Sequence, residues 1–267
     1  MNFTAVDTHE KLNALLGGRR RDSERRATSL LVMGLLSVVG SVATMTATLV
    51  HSQERVLELS TKVLDAGDPP RPPGSESLRA FILIPIGSGS SLQMTGVADG
   101  VDFDVDGDHR LERVAWTRAD AEIAFLFLDQ DHDGKVTSGR DLIGGGTTPE
   151  AWNGFMALRL LEPTARGAIA AGQPLYSRLL LWVDRNHNGR SEDSELRPVD
   201  QVFQQIGLGY FVPPDHASHD AHGNLIRYQG WLQKTGTSVD SQMPRYHPAY
   251  EVVLQVSAKV PQPTPRD

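Results

Sequence analysis

The sequence contains no cysteine. Disulfides, thiolate nucleophiles and cysteine-ligated zinc are therefore excluded as sources of stability or chemistry. The absence does not identify a compartment, because exported proteins without disulfides are ordinary. Bound metal can supply cross-links in their place.

The folded part of the chain has no excess of basic residues. Residues 1–78 carry nine basic and nine acidic side chains, whereas residues 79–267 carry seventeen basic and twenty-four acidic ones, which accounts for the net charge of −7. A nucleic-acid-binding protein needs a basic face. We therefore expect no nucleic-acid partner. Clustered acids also repel one another unless a cation lies among them.

No spacing in the sequence joins a nucleophile to a general base, and no lysine follows the Gly/Ser run at residues 87–91 as a phosphate-binding loop requires. We therefore expect a protein that is not an enzyme.

One long apolar run is present near the N-terminus. Residues 27–50 contain no charge over 24 positions, which is long enough to span a bilayer core. The basic segment 1–26 precedes this run, so the positive-inside rule keeps that segment in the cytoplasm. We predict a single-pass membrane protein with a periplasmic or extracellular C-terminal domain. The alternative is secretion after cleavage near residues 41–43, since the most apolar part, residues 30–39, is short.

The rest of the chain divides by composition. Residues 51–78 are predicted to be a juxtamembrane segment and a proline-rich linker, because their later part is rich in Pro, Gly and Ser. Residues 79–260 are predicted to form the folded domain, and residues 261–267 a tail.

The clearest chemical motif is the third of three acidic loops, residues 184–195. Calcium takes six to eight oxygen ligands, and a twelve-residue loop supplies them from positions 1, 3, 5, 7, 9 and 12, with glycine at position 6. Gly189 stands at position 6. The predicted ligands are Asp184, Asn186, Asn188, the backbone carbonyl of Arg190, Glu192 and Glu195.

The second loop, residues 129–141, has the same beginning and a displaced end. Gly134 occupies position 6, but Arg140 stands at position 12 and the acid follows one residue later. One extra residue in the exit turn would bring that acid to the ion. The predicted ligands are Asp129, Asp131, Asp133, the carbonyl of Lys135, Thr137 and Asp141.

The first loop, residues 104–112, is the least regular. His109 stands where glycine is favoured, and no acid closes the loop at the usual distance. A register two residues earlier, which starts at Asp102 and turns at Gly107, stays open. The predicted ligands are Asp104, Asp106, Asp108 and, from the next element, Asp120.

The segments VDFDVDGD, FLFLDQDHDGKVTSGRDLIGG, WNGFMAL and LLLWVDRNHNGRSEDSEL resemble the bacterial EF-hand-like calcium-binding module of RTX-type and adhesin surface proteins. The resemblance covers residues 80–235. It implies Ca²⁺ as the ligand, an extracytoplasmic location, and a structural or adhesive role that could involve another surface protein. Residues 162–169 lack the acids that this family usually has there, so we expect no ion at that place.

The predicted fold class is α+β, with EF-hand-like calcium loops between short helices and strands after one transmembrane helix. Residues 121–128 are predicted to be a helix or a strand, residues 151–161 a helix with Thr148 as its cap, and residues 198–206 a short helix. Residues 224–234 and 250–260 alternate as strands do.

Two alternatives remain open. His216, His219 and His222 could bind a transition metal, although Pro and Gly neighbours favour a hairpin turn. The protein could also be a membrane-tethered calcium sensor that signals through its anchor. A proline-rich linker transmits motion poorly, so the sequence favours the structural role.

Overall fold

This computed structural model describes residues 74–87, 91–213, 218–234 and 246–257. All of them belong to the compact unit Val56–Asp267. No helix in these ranges has the length and apolar character needed to cross a bilayer. The predicted single-pass membrane protein is therefore not supported by the described part of the chain. The segment 27–50, to which the crossing was assigned, lies outside them.

Strands dominate the described part of the chain, which contains one α-helix. The helix α1 is Gly154–Leu161, and short 3-10 turns lie at Gly74–Arg79, Tyr176–Arg178, Asp193–Glu195 and Val199–Gln201. The strands are β1 Ala80–Pro85, β2 Val101–Phe103, β3 Glu112–Val114, β4 Ile123–Leu128, β5 Ala168–Ala170, β6 Leu179–Trp182, β7 Leu196–Pro198, β8 Phe203–Gly207, β9 Ser218–His219, β10 Leu225–Lys234 and β11 Tyr246–Val253.

Eight strands form one antiparallel path in the order β5-β8-β10-β11-β1-β4-β6-β7, and β9 adds to β10. The two ends of the path, β5 and β7, do not pair with each other, so the sheet is open. Strands β2 and β3 form a separate hairpin in which Val101 lies opposite Val114. Each of these pairings is antiparallel.

The centre of the sheet is buried on both faces. Every residue of β1 and β4 is buried. Ile82 and Leu126 face a core that includes α1 and the β5–β8–β10 side. Phe81 and Phe125 face a second core beneath the β2–β3 hairpin. Two covered faces explain why AFILIP and IAFLFL are continuous apolar runs without alternation.

Helix α1 begins at an asparagine cap. The Asn153 side chain accepts a hydrogen bond from Met156 N at 2.7 Å, which satisfies one of the free N–H groups of the first turn. Gly154 is required there because a Cβ would lie 2.6 Å from Ile82. The helix is shorter than predicted, and Thr148 caps a turn that precedes it, through Ala151 N.

The predicted fold class was wrong. The described part of the domain is mostly β with one α-helix, instead of an α+β domain with calcium loops between short helices and strands. The predicted helix at residues 198–206 is a 3-10 turn followed by β8, whose Phe203 and Ile206 are buried in the core. This short segment mixes polar and apolar residues and its periodicity does not separate helix from strand; pairing of β8 with β5 and β10 selects the strand.

Candidate cation-binding loops

Each of the three acidic loops begins where a strand ends. The first loop follows β2 and leads into β3, so it is a hairpin loop; the second follows β4 and the third follows β6. Phe103, Phe125 and Trp182 on these three strands pack around Trp116, with ring centroids 4.5–5.6 Å from its own. One aromatic cluster therefore supports all three loops.

The three loops share one backbone shape. Positions 4 and 6 of each loop have a positive φ, between 58° and 70°. This left-handed conformation is uncommon for residues other than Gly, and Asn, Asp and His adopt it more readily than most. The residues are Gly107, His132 and His187 at position 4 and His109, Gly134 and Gly189 at position 6. Glycine and histidine exchange places in the first loop, which fixes its register at Asp104.

The carboxylate at position 1 organises the loop in two cases. Asp184 accepts hydrogen bonds from Asn188 N at 3.1 Å and from Gly189 N at 2.8 Å. Asp104 accepts the corresponding bonds from Asp108 N at 3.1 Å and from His109 N at 2.9 Å. Both carboxylates are nearly buried, at 1% and 6% exposure.

The side chain at position 5 makes the same turn in all three loops. Its Oδ1 accepts the backbone N–H of position 7: Arg110 N to Asp108 at 3.0 Å, Lys135 N to Asp133 at 2.8 Å, and Arg190 N to Asn188 at 2.7 Å. Such Asx turns satisfy the backbone without a sheet partner. The loops therefore have one local structure despite different sequences.

Carboxylates converge in the first two loops. Asp104, Asp106 and Asp108 each place a ligand atom within 4.8 Å of the others, and so do Asp129, Asp131 and Asp133. The Oδ1 atom of Asp129 is buried and has no hydrogen-bond partner. A buried carboxylate oxygen without a donor is costly. A cation among these oxygens would remove that cost, so the residues fit a hard divalent ion.

The end of the third loop closes over its beginning. Glu195 accepts hydrogen bonds from Arg185 N at 2.8 Å and from Trp182 Nε1 at 3.3 Å. Glu192 accepts from Asn188 Nδ2 at 2.8 Å, and its Oε2 atom is buried without a partner. Asn186 Nδ2 donates to Glu192 at 3.3 Å as well. The ligands predicted at positions 1, 3, 5, 9 and 12 therefore lie in one hydrogen-bonded group.

The two glutamates have opposite pKa shifts. Burial, followed by hydrogen bonding with Glu192, raises the pKa of Glu195. Hydrogen bonding with Glu195, followed by that with Asn188, lowers the pKa of Glu192. Carboxylates this close disfavour joint ionisation, and a divalent cation between them would favour it.

The second loop closes differently. The Asp141 carboxylate accepts hydrogen bonds from Thr137 N at 2.8 Å, Thr137 Oγ1 at 2.9 Å and Ser138 N at 3.0 Å. Asp141 thus folds back onto the exit turn of its own loop, together with the predicted ligand Thr137. These bonds hold Asp141 at the exit turn, and its role as a ligand stays a prediction.

The first loop closes on Glu112, whose Oε2 accepts from Val105 N at 3.2 Å. Asp120, predicted to reach this loop, instead forms a two-pronged ion pair with Arg118 at 2.9 and 2.7 Å. Hydrogen bonding with Arg118 lowers the pKa of Asp120. Asp102, the start of the alternative register, pairs with Arg113 at 3.5 Å on the surface.

The three loops are joined to one another. Val136 N in the second loop donates to Ser191 Oγ in the third at 2.8 Å. Gly139 N donates to the backbone carbonyl of Asp104 at 2.8 Å, and Arg140 Nε donates to the backbone carbonyl of Gly107 at 3.3 Å. Hydrogen bonds therefore link the second loop to both of the other loops.

The histidine cluster proposed as an alternative metal site is only partly described. His219 ends β9, and His222 lies in the turn before β10, where its N–H donates to Asp220 at 2.8 Å. Both side chains are exposed, and His216 lies outside the described residues. The described part is a hairpin, as its Pro and Gly neighbours indicated.

Two residues of the site were not predicted. Trp116 Nε1 donates to Asp184 Oδ2 at 2.8 Å across 68 residues of sequence, and Ser191 joins two loops. Neither residue can ligate through the loop pattern, so ligand spacing gave no signal for either. Only the pairing of distant strands brings them to the loops.

The protein is a mostly-β domain with three aspartate loops. The loops share one backbone shape and pack on a common aromatic cluster. The SPM domain matches residues 87–243, which is more than half of the chain, and the chain belongs to this family. A similar protein is the iron-regulated protein FrpA of Neisseria meningitidis serogroup C, with 29% identity over 135 residues. The match spans 48% of this chain and 12% of FrpA.

The family corrects the resemblance drawn from the sequence. An EF-hand is a helix, a calcium loop and a second helix, whereas each loop here follows a strand. The identification as an EF-hand-like module was therefore wrong. The aspartate spacing that suggested it belongs to loops on a β-sheet.

Proposed function

We propose that this SPM domain binds calcium in its three aspartate loops and that the ions hold the loops against the sheet. The observation that carries the proposal is the shared loop shape, with two left-handed residues and the same Asx turn in each loop. That shape gathers side-chain oxygens around one point. Polar turns that bind no ion would not require the same backbone shape in three loops of different sequence.

Calcium suits the donor set better than a softer metal. The side chains that converge are carboxylates, amides and a hydroxyl, which are the ligands of Ca²⁺, Mg²⁺ and Mn²⁺. Mg²⁺ demands a tighter octahedron and gives up its water reluctantly. Loops that offer up to six oxygen ligand positions favour the larger ion, which takes six to eight oxygens.

A structural role follows from charge and from the joined loops. Residues 79–267 carry a net charge of −7, and three Ca²⁺ would oppose most of it. Since hydrogen bonds join the loops, ions in them would tie β2, β4 and β6 together at one end. Binding energy would then add to folding stability. Attachment to another surface protein stays a prediction.

Calorimetric titration of the full chain with CaCl₂ tests the proposal. We expect about three ions per chain, and one fewer in each of D104N, D129N and D184N. The matched control is D120N, because Asp120 pairs with Arg118 on the surface and should leave the stoichiometry unchanged. Absence of binding by the unaltered chain, or equal loss in D120N, would refute the proposal. Parallel titrations with MgCl₂ and MnCl₂ test the choice of ion.

A further inference from the structure

The indole of Trp116 contacts the first ligand of the third loop. Its N–H donates to Asp184 Oδ2 at 2.8 Å, and both side chains are buried. Asp184 also accepts Gly189 N on the same oxygen and Asn188 N on the other. The Asp184 carboxylate therefore accepts two backbone N–H groups from the third loop and one side-chain N–H from Trp116, which lies outside that loop.

Trp116 also belongs to the neighbourhood of the first loop. It follows β3, the strand that leaves that loop, and its ring centroid lies 5.0 Å from that of Phe103, the residue directly before Asp104. Its backbone N–H is held by Thr95 Oγ1 at 2.9 Å. The tryptophan thus has one side against the base of the first loop and its polar edge on the third.

Donors to ligand groups from outside the loop fix the orientation of a ligand and commonly change metal affinity when they are removed. Here such a donor is carried by a ring that packs under a different loop. A shift of the β2–β3 hairpin would move the indole and so change the position of Asp184.

We propose that Trp116 is a positioning residue for Asp184 and that it couples cation binding in the third loop to the first. The inference rests on the proposed calcium function. Occupation of the first loop orders the hairpin, holds the indole in place and raises the affinity of the third loop. Coupling of this kind is reciprocal, so the third loop also raises the affinity of the first.

The experiment uses the full chain with the second loop disabled by D129N, so that the first and third loops remain. D104N/D129N disables the first loop as well. The calcium affinity of the third loop is measured in this double variant, with and without W116F. We expect W116F to weaken it by about 10–100-fold. The matched control is W152F, because the Trp152 Nε1 atom makes no hydrogen bond, and this variant should bind as its parent does.

Coupling is measured by a double-mutant comparison. D104N should weaken the third loop in the D129N chain and have little further effect when W116F is present. Additive effects of D104N and W116F would overturn the coupling. Unchanged third-loop affinity in W116F, with a parent that binds there, overturns the inference alone. A parent without any binding at the third loop overturns the proposed function and this inference with it.

A second measurement avoids the substitution, in case W116F does not fold. The indole N–H resonance of Trp116 is followed by NMR during calcium titration of the full chain. We expect it to shift as the third loop fills and to lose that shift in D184N, while the Trp152 resonance stays in place. A Trp116 indole chemical shift that does not change during calcium titration would contradict the proposed role.

Discussion

The guanidinium of Arg227 and the carboxylate of Glu251 form a buried ion pair at 3.2 Å between β10 and β11. Glu251 also accepts Gly154 N, the first N–H of α1, at 2.9 Å, and Arg227 donates to the carbonyl of Trp152 at 2.8 Å. Burial raises the pKa of Glu251, and Arg227 opposes the rise. The pair therefore attaches the single described helix to the centre of the sheet.

Replacing Glu251 by alanine should destabilise the domain strongly. Arg227 is only 7% exposed, and removal of its carboxylate would leave a buried charge without its counter-ion. Breaking one partner of such a pair typically costs about 3–5 kcal/mol. Urea unfolding of the full chain in EDTA measures the loss. The control is Asp102→Ala, which breaks the surface pair with Arg113 and should cost less than about 1 kcal/mol. An equal loss of unfolding free energy in the two variants would show that the buried pair stabilises the domain no more than the surface pair does.

Gly134 tests whether the loop shape itself matters. Its φ is +69°, and a Cβ there would meet no atom within 4 Å. Gly134→Ala therefore adds backbone strain without a clash, and we expect a loss of about 1–2 kcal/mol in unfolding free energy with calcium present.

Gly134→Asn is the matched variant, because asparagine adopts the left-handed region more readily than alanine. It should recover most of the stability that alanine loses, in the same unfolding measurement. Equal stability of the alanine and asparagine variants would mean that the positive φ is not required.

Ser191 offers a test of the connection between the second and third loops. Ser191→Ala removes the acceptor of Val136 N, and a hydrogen bond of this kind is worth about 1 kcal/mol. We expect faster hydrogen exchange at the Val136 amide. Ser177→Ala is the control, since Ser177 donates to a carbonyl on the exposed surface. Exchange at Val136 that is equal in both variants would argue against the connection.

The loops were predictable from sequence because their geometry is local. Aspartate or asparagine at alternate positions, followed by glycine, fixes the turn within a few residues, and the structure has the left-handed residues that this pattern requires at Gly134 and Gly189. The sequence left the register of the first loop open. His109 stands at the position where glycine is favoured, and Gly107 fits a register that starts two residues earlier. Its backbone angles decide the question.

The fold was not predictable in the same way. The apolar run of β4 is compatible with a helix or a strand, and only its pairing with β1 and β6 selects the strand. Trp116 and Asp184 are 68 residues apart, and the Arg227–Glu251 pair joins two strands across a hairpin. Contacts that depend on the order of strands in the sheet produce no recognisable spacing pattern in the sequence.

Calcium should raise the melting temperature of the domain, and Glu195→Gln should remove most of the rise. Glutamine keeps the size of the side chain and can still accept from Arg185 N, so the change chiefly removes a charge from the third loop. A ligand that binds only the folded state stabilises it in proportion to the logarithm of its concentration over Kd. Calorimetric melting of the full chain at several calcium concentrations measures the effect. The control is Glu150→Gln, at an exposed acid outside the three loops, which should keep the full rise. A melting temperature that EGTA does not change would contradict the coupling between ion binding and folding.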